Sequence, residues 1–434
     1  MKLKVHPAVF YRRSGEQVVL YHTGQQKIFT FSEGAADILD FFGEWASVED
    51  LAAHMGESFE GGVEAFVDEL VGLGIVEREY TQADPASSLE REVSIAAADE
   101  RRLRSVTFEL TYICNERCRH CYVAGKQRPE LSTSQILSVL DDLAEMEVLN
   151  VVFTGGELFT RKDAFEILEY AYAKHFLIDV FTNGTLLDGD GYIRLKSVWP
   201  KSVQFSLYSH IPERHDSITR VAGSFEKTLK AIRSCSLIGI PVNIKTPVFS
   251  ETMDDIEGMV ALANSLGVSI ELGDIITPKK DGDLAPTSMR VRGRENVERV
   301  YEMIRACTGD GASTEREEVA VSERLCNAGE GSLSINPYGE VYPCVVFPLC
   351  VGDVTKQPIG TIWRESDTLR WWRANNVRSH RVGCEGCGLA GGCAFCPGEA
   401  MLRQGSPLVR YENACADTKA YQERRDRRRA LLNV

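Results

Sequence analysis

Thirteen cysteines constrain this chain of 434 residues more than any other feature of its sequence. Eleven of them fall into two groups: one holds Cys114, Cys118 and Cys121, and the other lies between residues 326 and 415. An odd number of cysteines, with no apolar secretion signal at the amino terminus, argues against a disulfide framework. Clustered thiols in a reducing compartment are more often metal ligands. The pattern therefore predicts a cytoplasmic protein with two segments built around metal.

The charge balance excludes several classes of partner. The chain has 49 Lys and Arg against 63 Asp and Glu, which gives a net charge of −14. Nucleic-acid and anionic-membrane binding both need a basic surface, so neither partner is expected. Because no apolar run reaches the ~18 residues of a membrane helix, no membrane span is expected either.

The middle of the chain alternates between short β-rich stretches and helical stretches. The clearest helix covers 132–147 and opens with a capping box formed by Ser132 and Gln135. Six β/α units joined by right-handed crossovers predict a parallel sheet curled into a partial barrel, since a full barrel needs eight. The six predicted strands are 107–110, 150–153, 178–181, 203–207, 242–246 and 269–273.

Smaller units flank this array on both sides. The first 82 residues predict a winged-helix-like α+β unit, with a hairpin over 18–31 and a helix capped by Ser47 and Asp50. The segment after residue 326 is rich in Cys, Gly and Pro, so its core must be organised by its ligands. The predicted boundaries are 1–82, a linker at 83–103, the barrel at 104–306, a linker at 307–325, the cysteine-rich unit at 326–420 and a basic helix at 421–434.

The first cysteine group has the composition of an iron–sulfur loop. Cys114, Cys118 and Cys121 follow the first predicted strand directly, in the order CNERCRHC. Three thiolates can hold three irons of a [4Fe–4S] cluster and leave the fourth iron open to another ligand. A structural zinc site is the alternative, but it lacks an evident fourth ligand, because His120 is wedged beside Cys121.

This loop resembles the CxxxCxΦC signature of the radical S-adenosylmethionine (SAM) enzymes, with His120 in the aromatic position. Further motifs of that family follow at successive strand ends: GGE at 155–157 (with Leu158 where the family usually has Pro), TNG at 182–184 and QFSLYS at 204–209. The resemblance implies that SAM contacts the glycines and carboxylate of GGE, with an arginine for its own carboxylate. The implied SAM-binding residues are His120, Gly155, Gly156, Glu157, Asn183, Ser206 and Arg220.

The second cysteine group resembles the SPASM domain, which in the radical SAM family carries two auxiliary [4Fe–4S] clusters. The resemblance implies one cluster on Cys326, Cys344 and Cys396, with Cys350 as a fourth ligand or with an open iron. The second cluster is implied to lie on Cys384, Cys387, Cys393 and Cys415. A pair of zinc knuckles is the alternative for the CxxC pairs.

The amino-terminal unit resembles the leader-peptide recognition element of peptide-modifying enzymes, similar to the pyrroloquinoline quinone peptide chaperone. Such elements bind a leader as an added strand at a sheet edge. Together, the resemblances imply a radical SAM/SPASM maturase that cleaves SAM to a 5′-deoxyadenosyl radical and installs a thioether or carbon–carbon crosslink in a ribosomally made precursor peptide.

The implied cofactors are three [4Fe–4S] clusters and SAM, with a flavodoxin or ferredoxin as electron donor. A sulfatase-activating type of enzyme, a peptide epimerase and a non-catalytic iron–sulfur electron carrier are the alternative functions. No catalytic residue is identified, since Lys245, Glu271 and Asp274 are equally plausible as a base. The predicted fold class is α/β: a partial (β/α)6 TIM-like barrel between a small winged-helix-like domain and a cysteine-rich iron–sulfur domain.

Overall fold

The computed structural model describes residues 2–14, 17–55, 63–79, 102–125, 128–273, 276–308, 320, 322–416, 418, 419 and 422. Most of both predicted linkers, the basic carboxyl-terminal helix and Asp274 lie outside the described residues. The domain boundaries placed in those segments therefore stay predictions.

The six strands predicted for the middle of the chain are confirmed. They pair in parallel and in chain order, each beside the next, as right-handed β/α crossovers require. Val151, Phe153 and Phe205 are fully buried on these strands and contribute to the largest hydrophobic core. In chain order, after the six strands of the amino-terminal unit, they are β7 (Ser105–Thr111), β8 (Asn150–Gly155), β9 (Leu177–Thr182), β10 (Ser202–Ser206), β11 (Val242–Pro247) and β12 (Ser269–Gly273).

Helices connect these strands and cover the outer face of the sheet. The predicted capping box is confirmed at the first of them, where the Ser132 side chain accepts from the Gln135 backbone N–H and the Gln135 side chain accepts from Ser132 N–H. The helices of this region are α4 (Thr133–Glu145), α5 (Ala164–Ala173), α6 (Gly189–Ser197), α7 (Pro212–Thr219), α8 (Ser224–Leu237), α9 (Ile256–Leu266) and α10 (Arg294–Thr308).

The cysteine-rich unit extends the barrel sheet, which the sequence analysis did not predict. Its first strand pairs in parallel with β7, placing Ile335 beside Phe108, and two further strands continue the sheet antiparallel. The result is one nine-stranded sheet that contains both the strand before the first cysteine group and the strands of the cysteine-rich unit. The elements of this unit are β13 (Ser332–Ile335), β14 (Glu340–Tyr342), β15 (Gly352–Asp353), α11 (Ile359–Glu365), α12 (Asp367–Asn375) and α13 (Pro397–Gln404).

The amino-terminal unit contains the predicted hairpin and three helices, and it has more strands than predicted. The Ser47 and Asp50 capping box is confirmed by reciprocal hydrogen bonds of 2.9 and 3.1 Å. Two three-stranded sheets have the orders β5-β1-β6 and β2-β3-β4. Their elements are β1 (Lys2–Val5), β2 (Val9–Ser14), β3 (Gln17–His22), β4 (Lys27–Ser32), α1 (Ala35–Phe41), β5 (Ala46–Ser47), α2 (Val48–Met55), α3 (Val63–Gly72) and β6 (Val76–Arg78).

This unit packs against the amino-terminal ends of the barrel strands. Phe10 and Tyr21 form a buried cluster with Leu177, the first residue of β9. The Arg12 guanidinium donates at 2.6 Å to the carbonyl oxygen of Lys174, which lies between α5 and the same strand. The module therefore lies at the end of the barrel opposite to the loops that follow the strands.

In the part of the chain described by the structure, every helix is too short or too polar to cross a bilayer.

Candidate active site

The loop carrying the first cysteine group leaves the carboxyl end of β7 and lies on the end of α7. Backbone N–H groups of Arg117 and Arg119 donate to the carbonyl oxygens of Thr219 and Ile218 at 3.0 Å each. Cys114 is exposed, whereas Cys118 and Cys121 are partly buried. The loop is thus fixed by its backbone against the end of α7.

The glycines of GGE hold the end of β8 against this cysteine loop. A Cβ atom on Gly155, whose φ is +135°, would lie 2.3 Å from the Thr111 carbonyl oxygen. A Cβ atom on Gly156 would lie 2.4 Å from the Ile113 carbonyl oxygen. Only glycine permits this approach, so the motif shapes the cysteine loop itself.

Glu157 is fully buried, and protein donors already occupy its carboxylate. Thr182 Oγ1 lies 2.9 and 2.8 Å from the two carboxylate oxygens and shares its single hydrogen between them, the Asn183 N–H donates at 2.8 Å, and the Phe159 N–H donates at 3.0 Å. Three donor hydrogens therefore reach a carboxylate that can accept about four hydrogen bonds. In this structure Glu157 joins the ends of β8 and β9, and its contact with SAM stays a prediction.

Asn183 connects the TNG loop to the cysteine loop. Its side-chain N–H donates to the Asn115 side-chain oxygen at 2.9 Å, and its own side-chain oxygen accepts from the Thr185 N–H at 2.9 Å. Asn115 in turn donates to Thr185 Oγ1 at 2.7 Å. Asn115 and Thr185 were missed in the sequence because single Asn and Thr residues in loops are common.

Arg220 lies directly after α7, beside the cysteine loop. Its φ of 58° is a left-handed conformation, which is uncommon for a residue with a Cβ atom. The side chain is exposed, and no ion pair found among the described residues involves it. Its guanidinium is therefore free to bind an anion at this end of the barrel.

His120 is packed between two aromatic rings at the base of the loop. Its ring centroid lies 4.6 Å from that of Tyr208 and 4.9 Å from that of Phe249. Burial lowers the pKa of His120 to about 4, so its imidazole is neutral. Tyr208 is a third residue missed in the sequence; its hydroxyl lies 4.0 Å from Cys118 Sγ and contacts Ser206 at the end of β10.

The residues of this site fit an iron–sulfur cluster and a polar ligand. Burial raises the pKa of the Cys118 and Cys121 thiols, and a bound metal would supply the positive charge that deprotonates them. Buried polar atoms without a hydrogen-bond partner surround the loop, namely Glu116 Oε1, His120 Nδ1 and His215 Nε2. Among the described residues, no group of three ligand side chains is arranged around a single metal ion. A cluster does not require such an arrangement, because each thiolate binds a different iron.

Electrostatic interactions link the later cysteine thiols in two groups, and the ligation of two clusters by these thiols stays a prediction. Burial raises the pKa of Cys396 to about 11, and the nearby Cys344 and Cys326 thiols add to that rise. Burial likewise raises the pKa of Cys384, with contributions from the nearby thiols of Cys393, Cys415 and Cys387.

Cys350 is exposed. Its thiol donates to the Gly352 carbonyl oxygen at 3.3 Å. The charges that affect its pKa most, after burial, are those of Glu340 and Asp353. Among the described residues, no interaction shown for Cys350 joins it to Cys326, Cys344 or Cys396.

Of the three side chains considered as a base, Asp274 lies outside the described residues. Lys245 and Glu271 form an ion pair across β11 and β12, where they are paired in register. Both side chains are partly or largely exposed. The identity of the base therefore stays open.

Comparison with known families gives two matches within the chain. Residues 108–263 match the model of the Radical SAM superfamily. Residues 326–388 match the model of SPASM, an iron–sulfur cluster-binding domain. These two segments contain the first cysteine group and the beginning of the second.

Curated relatives and solved structures extend these matches. The chain is 32% identical, over 67% of its length and 66% of the relative's, to the antilisterial bacteriocin subtilosin biosynthesis protein AlbA of Bacillus subtilis. It is 25% identical, over 70% of its length and 94% of the relative's, to an AdoMet-dependent heme synthase of Methanosarcina barkeri.

Streptococcus suis SuiB, solved bound to its precursor peptide SuiA, has the same fold with a TM-score of 0.64 and 14% identity. That likeness covers 96% of this chain and 100% of SuiB.

Proposed function

The chain belongs to the radical SAM superfamily and carries a SPASM domain, and on that premise we propose that it modifies a ribosomally made precursor peptide. The modification proposed is a thioether or carbon–carbon crosslink. The single observation that carries the proposal is the combination of the radical SAM core with both the SPASM cysteines and an amino-terminal module in one fold. A structure with that fold along its whole length was solved with a precursor peptide.

The chemistry proposed divides between the cofactors and the protein. When bound, a reduced [4Fe–4S] cluster and SAM supply a 5′-deoxyadenosyl radical that abstracts hydrogen from the peptide. Cys114, Cys118 and Cys121 would hold the cluster, while Arg220 would hold the SAM carboxylate through a charge-assisted pair. Glu157 and Asn183 keep the strand-end loops in position, and the barrel wall excludes water from the reactive species.

We further propose three [4Fe–4S] clusters in total, with an open iron at the auxiliary cluster on Cys326, Cys344 and Cys396. The exposed position of Cys350 and its contact with Gly352 favour the open iron over a fourth thiolate. A flavodoxin or ferredoxin is the proposed electron donor. A cytoplasmic location is part of the same proposal, because none of the described cysteines forms a disulfide.

The amino-terminal module is proposed to bind the leader of the precursor as a strand added to β4. This strand pairs only with β3 within the described residues, so its outer edge is open, and Ile28 on it is 40% exposed. The module lies at the amino-terminal end of the barrel, whereas the cysteine loop lies at the carboxyl end. A six-residue strand spans about 20 Å, so the leader must be followed by a spacer that runs around the barrel.

The position of the module at the amino-terminal end of the barrel decides which experiment tests its role best. Deleting residues 1–82 would expose Leu177 and remove the Arg12 contact with Lys174, so the barrel itself would be perturbed. Single substitutions on β4 keep Phe10, Tyr21 and Arg12 in the chain and are therefore the milder experiment.

Arg220→Ala should weaken SAM binding about 10- to 150-fold, because a hydrogen bond to a charged group contributes roughly 1.5–3 kcal/mol. Isothermal titration of the reconstituted protein with SAM measures the change, and iron content should stay the same. Arg233→Ala, at an exposed arginine on α8, is the matched control and should bind SAM as the native protein does. Equal affinities for both variants would show that Arg220 does not bind the SAM carboxylate.

The test of the proposed function is anaerobic incubation of the reduced protein with SAM and any short peptide encoded beside its gene. Mass spectrometry should show a peptide that has lost two hydrogens, the signature of a new crosslink. If the neighbouring gene encodes a sulfatase and only the sulfatase changes mass, the protein-maturing alternative is correct. Because the chain is similar to a heme synthase, a porphyrin should be incubated in parallel with the peptide as a control compound.

A further inference from the structure

The carboxylate of Asp216, on α7, is hydrogen-bonded to the start of the next helix, α8. Its Oδ2 accepts from the Gly223 N–H at 2.5 Å, and its Oδ1 accepts from the Phe225 N–H and the Ser224 hydroxyl at 2.9 Å each. The N-cap residue of α8, Gly223, has no side chain that accepts these hydrogens. Asp216 therefore supplies, from a neighbouring helix, the acceptor that the first turn of α8 lacks.

A second set of contacts closes the same turn from within. The Thr219 hydroxyl oxygen lies 2.7 Å from the Ser224 hydroxyl oxygen and accepts from the Val221 N–H at 3.3 Å. Thr219 and Ser224 are both fully buried. Residues 219–224 therefore form a turn that is held at both ends, and Arg220 is the second residue of that turn.

Arg220 needs this support because its backbone conformation is unfavourable. Its φ of 58° lies in the left-handed region, which costs a residue with a Cβ atom free energy relative to the right-handed helix. Gly223, with a φ of 77°, is the second left-handed residue of the turn. A left-handed arginine persists only where its surroundings fix it, and here the hydrogen bonds to Asp216 and Thr219 are the contacts that do so.

The end of α7 also holds the cysteine loop, through the carbonyl oxygens of Ile218 and Thr219. Arg220 follows Thr219 directly, so the turn fixes the backbone of the arginine against the loop that carries Cys118. An arginine binds a carboxylate best through two parallel hydrogen bonds, and these require a defined position of the guanidinium. The turn therefore supplies the backbone geometry from which Arg220 would bind the carboxylate of SAM beside the open iron.

We propose that Asp216 is a positioning residue, whose carboxylate holds the turn of residues 219–224 in the conformation from which Arg220 binds the SAM carboxylate. The inference rests on the proposed role of Arg220. Asp216 acts through the backbone of the turn and is not itself expected to contact SAM. A carboxylate accepts hydrogen bonds on both oxygens, whereas an amide accepts on one only. Asp216→Asn therefore loses at least one of the three hydrogen bonds while the size of the side chain stays the same.

The test is isothermal titration of the anaerobically reconstituted full-length protein with SAM. Asp216→Asn should weaken SAM binding about tenfold, an effect of the size expected within one hydrogen-bond network, while the iron content stays native. In the Arg220→Ala background the same substitution should have no further effect, because Asp216 acts through Arg220. Decarboxylated SAM, which lacks the group that Arg220 binds, should bind to the native protein and to Asp216→Asn equally.

Asp188→Asn is the matched control, since Asp188 accepts from the Gly191 N–H at 2.9 Å at the start of another barrel helix, α6. This variant should bind SAM as the native protein does. Ser224→Ala removes one hydrogen bond to Asp216 and should weaken SAM binding about threefold, because one neutral donor is lost. If Asp216→Asn does not assemble its clusters, Ser224→Ala decides alone.

The outcomes separate this inference from the role proposed for Arg220. Native SAM affinity in Asp216→Asn, together with weakened binding in Arg220→Ala, overturns the inference and leaves the role of Arg220 standing. An equal loss of affinity on Asp216→Asn with and without Arg220 also overturns it. Native affinity in Arg220→Ala would instead overturn the assignment of Arg220 to the SAM carboxylate.

Discussion

Replacing Cys114, Cys118 and Cys121 together by alanine should abolish formation of 5′-deoxyadenosine from SAM. The three thiols lie on one loop held by the backbone of α7, and without them the open iron that binds SAM is lost. The native protein should contain about 12 iron atoms and the variant about 8, because each [4Fe–4S] cluster holds four. Iron analysis and chromatography of the reduced, SAM-treated protein measure both effects.

Cys307→Ala is the control, since Cys307 lies outside both cysteine groups. This variant should keep about 12 iron atoms and full SAM cleavage. SAM cleavage that persisted in the triple variant would show that the Cys114 loop does not hold the cluster that cleaves SAM. Zinc in place of iron, in protein purified without oxygen, would support the zinc alternatives instead.

Ile28→Asp should reduce modification of a dilute precursor at least tenfold while leaving uncoupled SAM cleavage unchanged. A strand added to β4 would cover Ile28, so a charge there would have to be buried when the leader binds. Holding the leader raises the local concentration of the core peptide at the barrel, to an extent set by the length of the spacer that joins the two. Modification should therefore recover in part at high precursor concentration.

Ile193→Asp makes the same substitution at an isoleucine on α6 that is 67% exposed. It should change neither modification nor SAM cleavage, because no leader is expected to cross that helix. Equal rates for the native protein and Ile28→Asp at low precursor concentration would show that β4 does not bind the leader. The protein-maturing alternative would then gain support.

The alternation of strands and helices was predictable because each element has a local signal. Hydrophobic strand patterns and the Ser132 capping box specify the six β/α units before any tertiary contact forms. The pairing of β13 with β7 was not predictable, since Ser332–Ile335 is short and its parallel partner is more than 200 residues away. Such long-range pairing has no local sequence signal.

The candidate site, like the fold, was predictable only in part. Cysteine spacing and the strand-end motifs identified the residues, and the folded chain adds contacts that the motifs do not specify. Glu157 is buried and accepts from Thr182, Asn183 and Phe159, and Gly156 accommodates the Ile113 carbonyl. Asp216 is an ordinary acidic residue in the sequence, and only the folded chain places it against the turn that contains Arg220.

The most direct test of the central claim is transfer of deuterium from the peptide to 5′-deoxyadenosine. A precursor peptide carrying deuterium at the carbon to be modified is incubated anaerobically with the reduced protein and SAM, and both products are analysed by mass spectrometry. We predict 5′-deoxyadenosine that contains one deuterium, formed together with the modified peptide. Unlabelled 5′-deoxyadenosine with an unchanged peptide, from protein containing all of its iron, would contradict the assignment of that peptide as the substrate.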